Sequence, residues 1–547
     1  MTTQVQPAGE TTSGGFFARE RTVAGPAFNR WLVPPAALAI HLCIGMAYGF
    51  SVFWLPMSHL VPAADAAACA AQSLPQALVS TTCNWTVPWV TRIFEIFIAV
   101  LGISAAIWGG WLEHAGPRKA GAIAALCWGG GLVLLGGAVW IHQLWLVYLV
   151  ALFCGIGQGI GYITPVSTLI KWFPDRRGMA TGFAIMGYGG GAMIGAPLAV
   201  WFMAHFSGRP TAGVAQTLVA LGVIYFIVMM AGALGFRVTP AGWKPGGWAA
   251  AASDAGQSMI TRHSVHLNMA WRTPQFWLIW GVLCLNVTAG IAVLAMASPM
   301  LQDMFGAKLL GGQTATAMSA TQKAAIVAAA AGLVGLLSLF NSLGRIFWAS
   351  LSDRVGRKNI YFTLFIVGIV LYCLLPTWGH LGIATLFVLS ICIIISMYGG
   401  GFSTVPAYLA DIFGTQMVGA IHGRLITSWS VAGVVGPAII AGLRQFQIDH
   451  GVAHAQVYDI TLYIMAVLLL GGLLCNLFVR PVDPKYWMSE AELARERSLQ
   501  HEDLVAADAQ SAARGGFGIG GVLAWLGVGI PFLIGLYIAL AKAAALF

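Results

Sequence analysis

The feature that most constrains this chain is an internal duplication. Residues 109–119, GGWLEHAGPRK, close one long apolar run, and residues 349–358, ASLSDRVGRK, close another. Glu113 maps to Asp353 and Gly116 to Gly356, 240 residues later. Pro165, Gly178, Gly182 and Pro197 map to Pro406, Gly419, Gly423 and Pro437 at an offset of 240 or 241. A repeat of this length in an apolar chain predicts two membrane-embedded halves in parallel orientation, with any central site between them.

Composition supports a bilayer rather than a soluble core. The 547 residues are 58% hydrophobic and 9% charged. A spanning helix needs about 20 mostly apolar residues, and lipid can absorb that much apolar surface. The 68 glycines suit helices packed backbone to backbone in lipid. The glycine runs at 129–131, 155–161 and 187–191 are not followed by the Gly-Lys-Ser/Thr of a phosphate loop. The net charge of +9 is scattered over loops, so nucleic acid is excluded as a partner. There is no HExxH, no GxSxG and no Cys/His cluster. Enzymatic activity, a cofactor and a bound metal are therefore not expected.

Thirteen apolar runs are long enough to span. The expected organisation is an all-α membrane fold. Residues 1–28 form a disordered cytoplasmic tail without a signal-peptide core. Residues 29–236 form a first six-helix bundle, and 237–273 a cytoplasmic linker. Residues 274–480 form a second bundle related to the first by pseudo-two-fold symmetry. Residues 481–515 form a charged cytoplasmic segment, helix-like from Ser489 to Asp508, and 516–547 a thirteenth transmembrane helix. Arg118, Lys119, Lys171, Arg176, Arg177, Arg237, Arg354, Arg357, Lys358 and Arg480 gather on one side, against Arg209, Lys308 and Arg444 on the other. The positive-inside rule puts the rich side and the N-terminus in the cytoplasm. The thirteenth span then places Phe547 outside. Cys69 and Cys83 share the loop between the first two spans, on the outer side. An oxidising periplasm favours a disulfide between them, with free thiols as the alternative.

The loop after span eight, with Asp353, Arg354, Gly356, Arg357 and Lys358, resembles the signature loop of the major facilitator superfamily. Further motifs narrow the likeness. Asn29-Arg-Trp31 enters span one, and KWFPDRRG (171–178) joins spans four and five. NSLGR (341–345) lies inside span eight, and PAYLADIFG (406–414) ends span ten. Over about residues 29–480 the set resembles the oxalate/formate antiporter family and its relatives. The resemblance implies alternating-access transport of small carboxylates across a bacterial inner membrane. It also implies no partner beyond those anions and the lipid bilayer. The charged tail could bind a further partner; the chain is otherwise expected to be a monomer.

Arg345 lies two helical turns before Asp353, about 12 Å along the axis at 1.5 Å per residue, so it sits near the midplane. An arginine there costs about 2.5–3.5 kcal/mol to insert and is best kept facing a wet cavity. Its donor fork suits a carboxylate. The alternative is an arginine tied to Asn341 and backbone carbonyls. In the resembling family an arginine at this place binds substrate, and a lysine stands in span eleven. Here Trp429 occupies the aligned position, and span eleven has no lysine. Charge counting therefore favours a monocarboxylate over oxalate. The resemblance also places Tyr48, Tyr162, Tyr188, Tyr398 and Phe402 at or beside the site, with Asn341 next to Arg345. Glu113, Arg118, Asp353, Arg354, Arg357 and Asp411 are the expected gate residues at the cytoplasmic edge. Glu95 is expected to pair with Arg92, and His41 to be a packed, hydrogen-bonded histidine. Exchange of one anion for another is the leading mode. Proton-coupled uptake of a monocarboxylate such as lactate or pyruvate is the alternative, and a transport-derived sensor is a third reading.

Overall fold

The structure is a computed structural model. It describes residues 15–25, 27–61, 69, 72–206, 213–240, 243–245, 259–309, 320–453, 456–499 and 518–543. The expectations for residues 1–14, much of the linker and the second half of the charged tail lie outside the described residues. Among the described residues there is no β-strand, only two isolated bridges.

Thirteen long helices follow in order: α1 (Arg30–Phe53), α2 (Val87–Ala115), α3 (Pro117–Trp140), α4 (Leu144–Trp172), α5 (Arg177–His205) and α6 (Val214–Gly235); then α7 (Pro274–Leu309), α8 (Ala320–Val355), α9 (Arg357–Leu381), α10 (Ala384–Phe413), α11 (Val418–Asp449) and α12 (Asp459–Phe478); and finally α13 (Ile519–Ala543). Twelve of them contain described stretches long and apolar enough to cross a membrane, and α8 is a further 36-residue helix. The first six and the next six form two bundles, and α13 stands outside both. Within the bundles α2 packs on α4, α1 on α5, α8 on α10 and α7 on α11. Between them run two seams, α5 against α8 and α2 against α11. The repeat seen in the sequence thus becomes a repeat of helix pairs across the central axis.

Three spans depart from regular α-helix, each near a close helix approach. α1 turns from α-helix to 3₁₀-helix over Gly45–Phe53. A Cβ at Gly45 would strike the Tyr188 backbone, so only glycine lets α1 lie on α5 there. α3 has a π-helical turn at Leu126–Gly130, where Gly129 meets the Phe226 backbone. α11 breaks at Ile426, between the segments Val418–Leu425 and Thr427–Asp449. Such turns re-aim side chains and recur at functional positions.

Linker residues 259–273 pass beneath the second bundle. Thr261 N–H donates to the Asp411 carbonyl at 2.8 Å, and Val265 N–H to that of Phe413 at 2.9 Å. The charged segment forms a helix over Glu490–Leu499, capped by Ser489 and Glu492. Its Glu496 meets His114 at 3.2 Å and His266 at 3.7 Å. The tail thereby touches the end of α2. α13 packs on α8, α5 and α1. Trp525 Nε1 donates to the Trp31 carbonyl at 3.1 Å, and Val528 joins a cluster with Leu38, Ala39 and Met186.

Candidate functional site

The central residues come from both bundles. α1 contributes Tyr48, α4 Tyr162 and Gln158, and α5 Tyr188. α8 contributes Asn341 and Arg345, α10 Tyr398 and Phe402, and α11 His422 and Trp429. Apart from the half-buried Tyr48, all are buried. Trp429 lies 5.2 Å from Tyr188, 5.6 Å from Tyr162 and 4.8 Å from Phe402, centroid to centroid. Tyr48 completes the group, 5.1 Å from Tyr188 and with its hydroxyl 3.2 Å from that of Tyr398. That hydroxyl pair links the two bundles. The eight substrate-site residues named from sequence therefore form one connected cluster.

Arg345 is 1% exposed. Nε donates to Asn341 Oδ1 at 3.1 Å, and Nη1 to the Ile185 carbonyl at 2.8 Å. Among the described residues Nη2 has no hydrogen-bond partner and the guanidinium has no carboxylate. Its carbon stands 5.5 Å from the Phe402 centroid. Gly189 and Gly399 flank it, and a Cβ on either would crowd the arginine. Asn341 and a backbone carbonyl orient the arginine, and one amino group is left over.

Several buried polar atoms around the cluster lack a partner among the described residues. They include Trp429 Nε1, Tyr162 Oη, Gln158 Nε2, Ser342 Oγ, Asn286 Oδ1, Ser428 Oγ and both nitrogens of His422. Each unsatisfied buried group costs about 1–3 kcal/mol. An indole N–H, an amide NH₂ and an arginine Nη2 are all donors, so the arrangement suits a small acceptor-rich guest. Sequence reasoning missed Gln158, Asn286 and His422. The signal was a polar side chain inside an apolar span.

His41 differs from His422. Its Nδ1 lies 2.5 Å from the Ala184 carbonyl and its Nε2 3.0 Å from that of Tyr162. Arg92 and Glu95 are both exposed and, among the described residues, make no ion pair with each other. The expected pairing is not formed, and both act electrostatically on Tyr148 instead.

The basic end of the α5–α8 seam is bonded shut. Asp353 accepts from Gly178 N–H at 2.8 Å and Met179 N–H at 2.9 Å, capping the first turn of α5 from the other bundle. Arg357 binds Asp353 at 2.6 Å and Asp411 at 3.2 Å, and Arg177 reaches across to Asp411 at 2.9 Å. Gly178 is required, because a Cβ would meet the Ala349 carbonyl. At the symmetry-related place Glu113 lies against Gly419 of α11, bound by Lys171 at 2.8 Å and Ser167 at 3.1 Å. Arg118 does not reach a seam. It faces the Leu234 carbonyl of its own bundle and the Phe16 ring of the N-terminal segment. Arg354 is exposed.

At the opposite end Cys69 and Cys83 form a disulfide across the α1–α2 loop. His142 Nε2 donates to the Cys83 carbonyl at 2.9 Å, and the ring stacks on Trp85 at 4.5 Å. Burial lowers the pKa of His142, so its neutral form holds the loop.

The sequence matches the Major Facilitator Superfamily over residues 43–437 and again over 314–546. It is 27% identical over 337 residues to the oxalate:formate antiporter of Oxalobacter formigenes, covering 61% of this chain and 71% of that protein. It is 25% identical over 316 residues to apicoplast pyruvate carrier 1 of Toxoplasma gondii, covering 50% of this chain and 55% of that one. Among solved structures it resembles the proton:xylose symporter XylE, with a TM-score of 0.57 and 13% identity, over 82% of this chain and 96% of that one. It also resembles FucP in the outward conformation, with a TM-score of 0.54 and 12% identity, over 83% of this chain and all of that one. Family match, helix order and paired bundles agree: this chain belongs to the Major Facilitator Superfamily.

Proposed function

We propose that the chain is a secondary carrier of small carboxylates, favouring monocarboxylates, working by alternating access in a bacterial inner membrane with its N-terminus cytoplasmic. One observation carries the reading: Arg345, buried and among the described residues without a carboxylate partner, sits in an aromatic cage at the join of the two bundles. Nη2 of Arg345 binds one carboxylate oxygen while Asn341 holds the guanidinium plane. The rings of Tyr48, Tyr162, Tyr188, Tyr398, Phe402 and Trp429 wall the anion and exclude water, which strengthens the charge pairing. Trp429 and Tyr162 offer it further donors. Exchange is the preferred mode, because an unneutralised arginine disfavours reorientation of the empty carrier. Asp353, Arg357 and Asp411, with Arg177, gate the cytoplasmic end. Two relatives whose names carry oxalate, formate and pyruvate support the substrate class.

The test is exchange of labelled pyruvate, formate or oxalate in proteoliposomes. Arg345→Gln abolishes exchange in correctly inserted protein, and Arg345→Lys, which keeps the charge but loses the fork, weakens it about tenfold or more. Unchanged exchange by the glutamine variant overturns the assignment.

A further inference from the structure

Of all the buried polar side chains, His422 is the one whose chemistry is least accounted for. It is 0% exposed, and among the described residues neither ring nitrogen has a hydrogen-bond partner. An imidazole always presents at least one N–H, so a fully buried ring without an acceptor is costly. It occupies the short first segment of α11, seven residues before Trp429 and three after Gly419. Despite the break at Ile426, His422 and Trp429 both lie against the Tyr162 ring. The His422 ring lies 5.9 Å from that of Tyr162, the residue that touches Tyr188, Phe402 and Trp429. His422 therefore stands between the aromatic cage and the Glu113–Gly419 contact.

The ionisable groups on the elements packed against it are otherwise engaged. On α2, Glu113 is held by Lys171 of α4, and His114 by Glu496. Arg92 and Glu95 of α2 belong to the far end, beside Tyr148. On α10, Asp411 is held by Arg177 and Arg357. On α7, Asp303 is held by Arg444. His41 of α1, the other histidine near enough to act on it, has both nitrogens on carbonyls. Among the described residues a protonated His422 has no anionic partner, which leaves that role to a bound anion.

We propose that His422 is the proton-binding residue of the carrier: an anion held by Arg345 offsets the arginine's charge and thereby favours a proton on His422, so that anion binding is coupled to proton binding. The inference rests on the carboxylate-carrier reading and adds to it a titratable group beside the Tyr162 wall of the cage. Anion and proton then bind cooperatively, and each favours the other by the same factor.

The experiment uses the full chain in lipid nanodiscs with pyruvate as probe, which stays ionised throughout. Affinity is measured calorimetrically from about pH 5.5 to about pH 8, the range in which an imidazole titrates. Affinity is expected to fall with rising pH, by up to about tenfold per pH unit for one linked proton. Repeating the titration in buffers of different ionisation heat gives the proton uptake directly, about one per anion where linkage is full, without any variant. His422→Gln and His422→Asn should bind with no such slope, and His41→Gln should keep it. A pH-independent affinity in the unaltered chain overturns the inference. So does a slope that survives in a folded His422 variant. Pyruvate binding that is pH-linked but indifferent to Arg345→Gln overturns the carrier reading instead, and no carboxylate binding at any pH removes both.

Discussion

Replacing Asp353 by asparagine should loosen the basic end of the α5–α8 seam. The carboxylate accepts two backbone N–H groups of α5 and one Arg357 donor. Asparagine keeps one acceptor oxygen and turns an NH₂ toward a donor. Hydrogen bonds to a charged group contribute about 1.5–3 kcal/mol each, against about 1 for neutral ones. The favourable interaction with the α5 N-terminus, about 0.3–1 kcal/mol, is lost as well. When the seam parts, the carboxylate recovers these interactions from water. The substitution therefore penalises the closed arrangement by about 2–4 kcal/mol, or about 30- to 700-fold in the conformational equilibrium. Arg176 and Arg354 are exposed on opposite sides of this seam. Spin labels at Arg176→Cys and Arg354→Cys should report one short distance in the parent and a mixture with a longer one in the Asp353→Asn protein. Asp353→Glu should retain most of the short component. An unchanged distance distribution for a folded asparagine variant would refute the argument.

Three further outcomes follow from the same geometry. Trp429→Lys places a second cation beside Arg345. Burying an unpaired carboxylate costs several kcal/mol, so the variant should improve oxalate relative to pyruvate at least tenfold in competition; no change, or a parent that already prefers oxalate, contradicts the charge counting. Reducing the Cys69–Cys83 disulfide, with a sequence separation of 14, should destabilise its loop by up to about 3 kcal/mol, read as faster proteolysis there; equal proteolysis with and without reductant counts against it. Ending the chain after Leu499 removes α13, which ties α5 to α8. Lipid can replace its apolar contacts, so the protein should still insert and exchange faster. Loss of folding would assign α13 a structural role instead.

The spans were legible because twenty or so apolar residues in a row have one stable use, and the repeat offset fixed how they pair. Arg345 was legible because a charge in mid-bilayer is too costly to be incidental, and the aromatic set only through the family resemblance. The 3₁₀ turn of α1, the π turn of α3 and the break in α11 were not. The first two coincide with a glycine meeting a particular neighbour, Gly45 on Tyr188 and Gly129 on Phe226, and such neighbours are known only once the helices are packed. His422 was hidden for a related reason. It and His41 look alike in sequence, each a lone histidine in an apolar span. What separates them is the pair of carbonyls, from Ala184 and Tyr162, that packing delivers to one ring and withholds from the other.

The two seams descend from one repeat, yet their charges are arranged differently, and this gives a last prediction. Asp411 and Lys171 occupy equivalent places in the repeat. In the second half Asp411 recruits Arg177 from the other bundle, so the bond crosses the seam. In the first half Lys171 binds Glu113 within the same bundle, and the N-terminal turns of α11 have no side-chain cap. Glu113 is 2% exposed, so Glu113→Gln leaves Lys171 unpaired in a partly buried place, a loss of about 3–5 kcal/mol for a broken buried pair. That loss is felt whichever way the carrier faces, because both partners move together. Glu113→Gln should therefore lower the melting temperature clearly while shifting the label distances across the α5–α8 seam little. Asp353→Asn should do the reverse. If Glu113→Gln opens the seam as strongly as Asp353→Asn, the bonds within one bundle and those between bundles do not divide the work in this way.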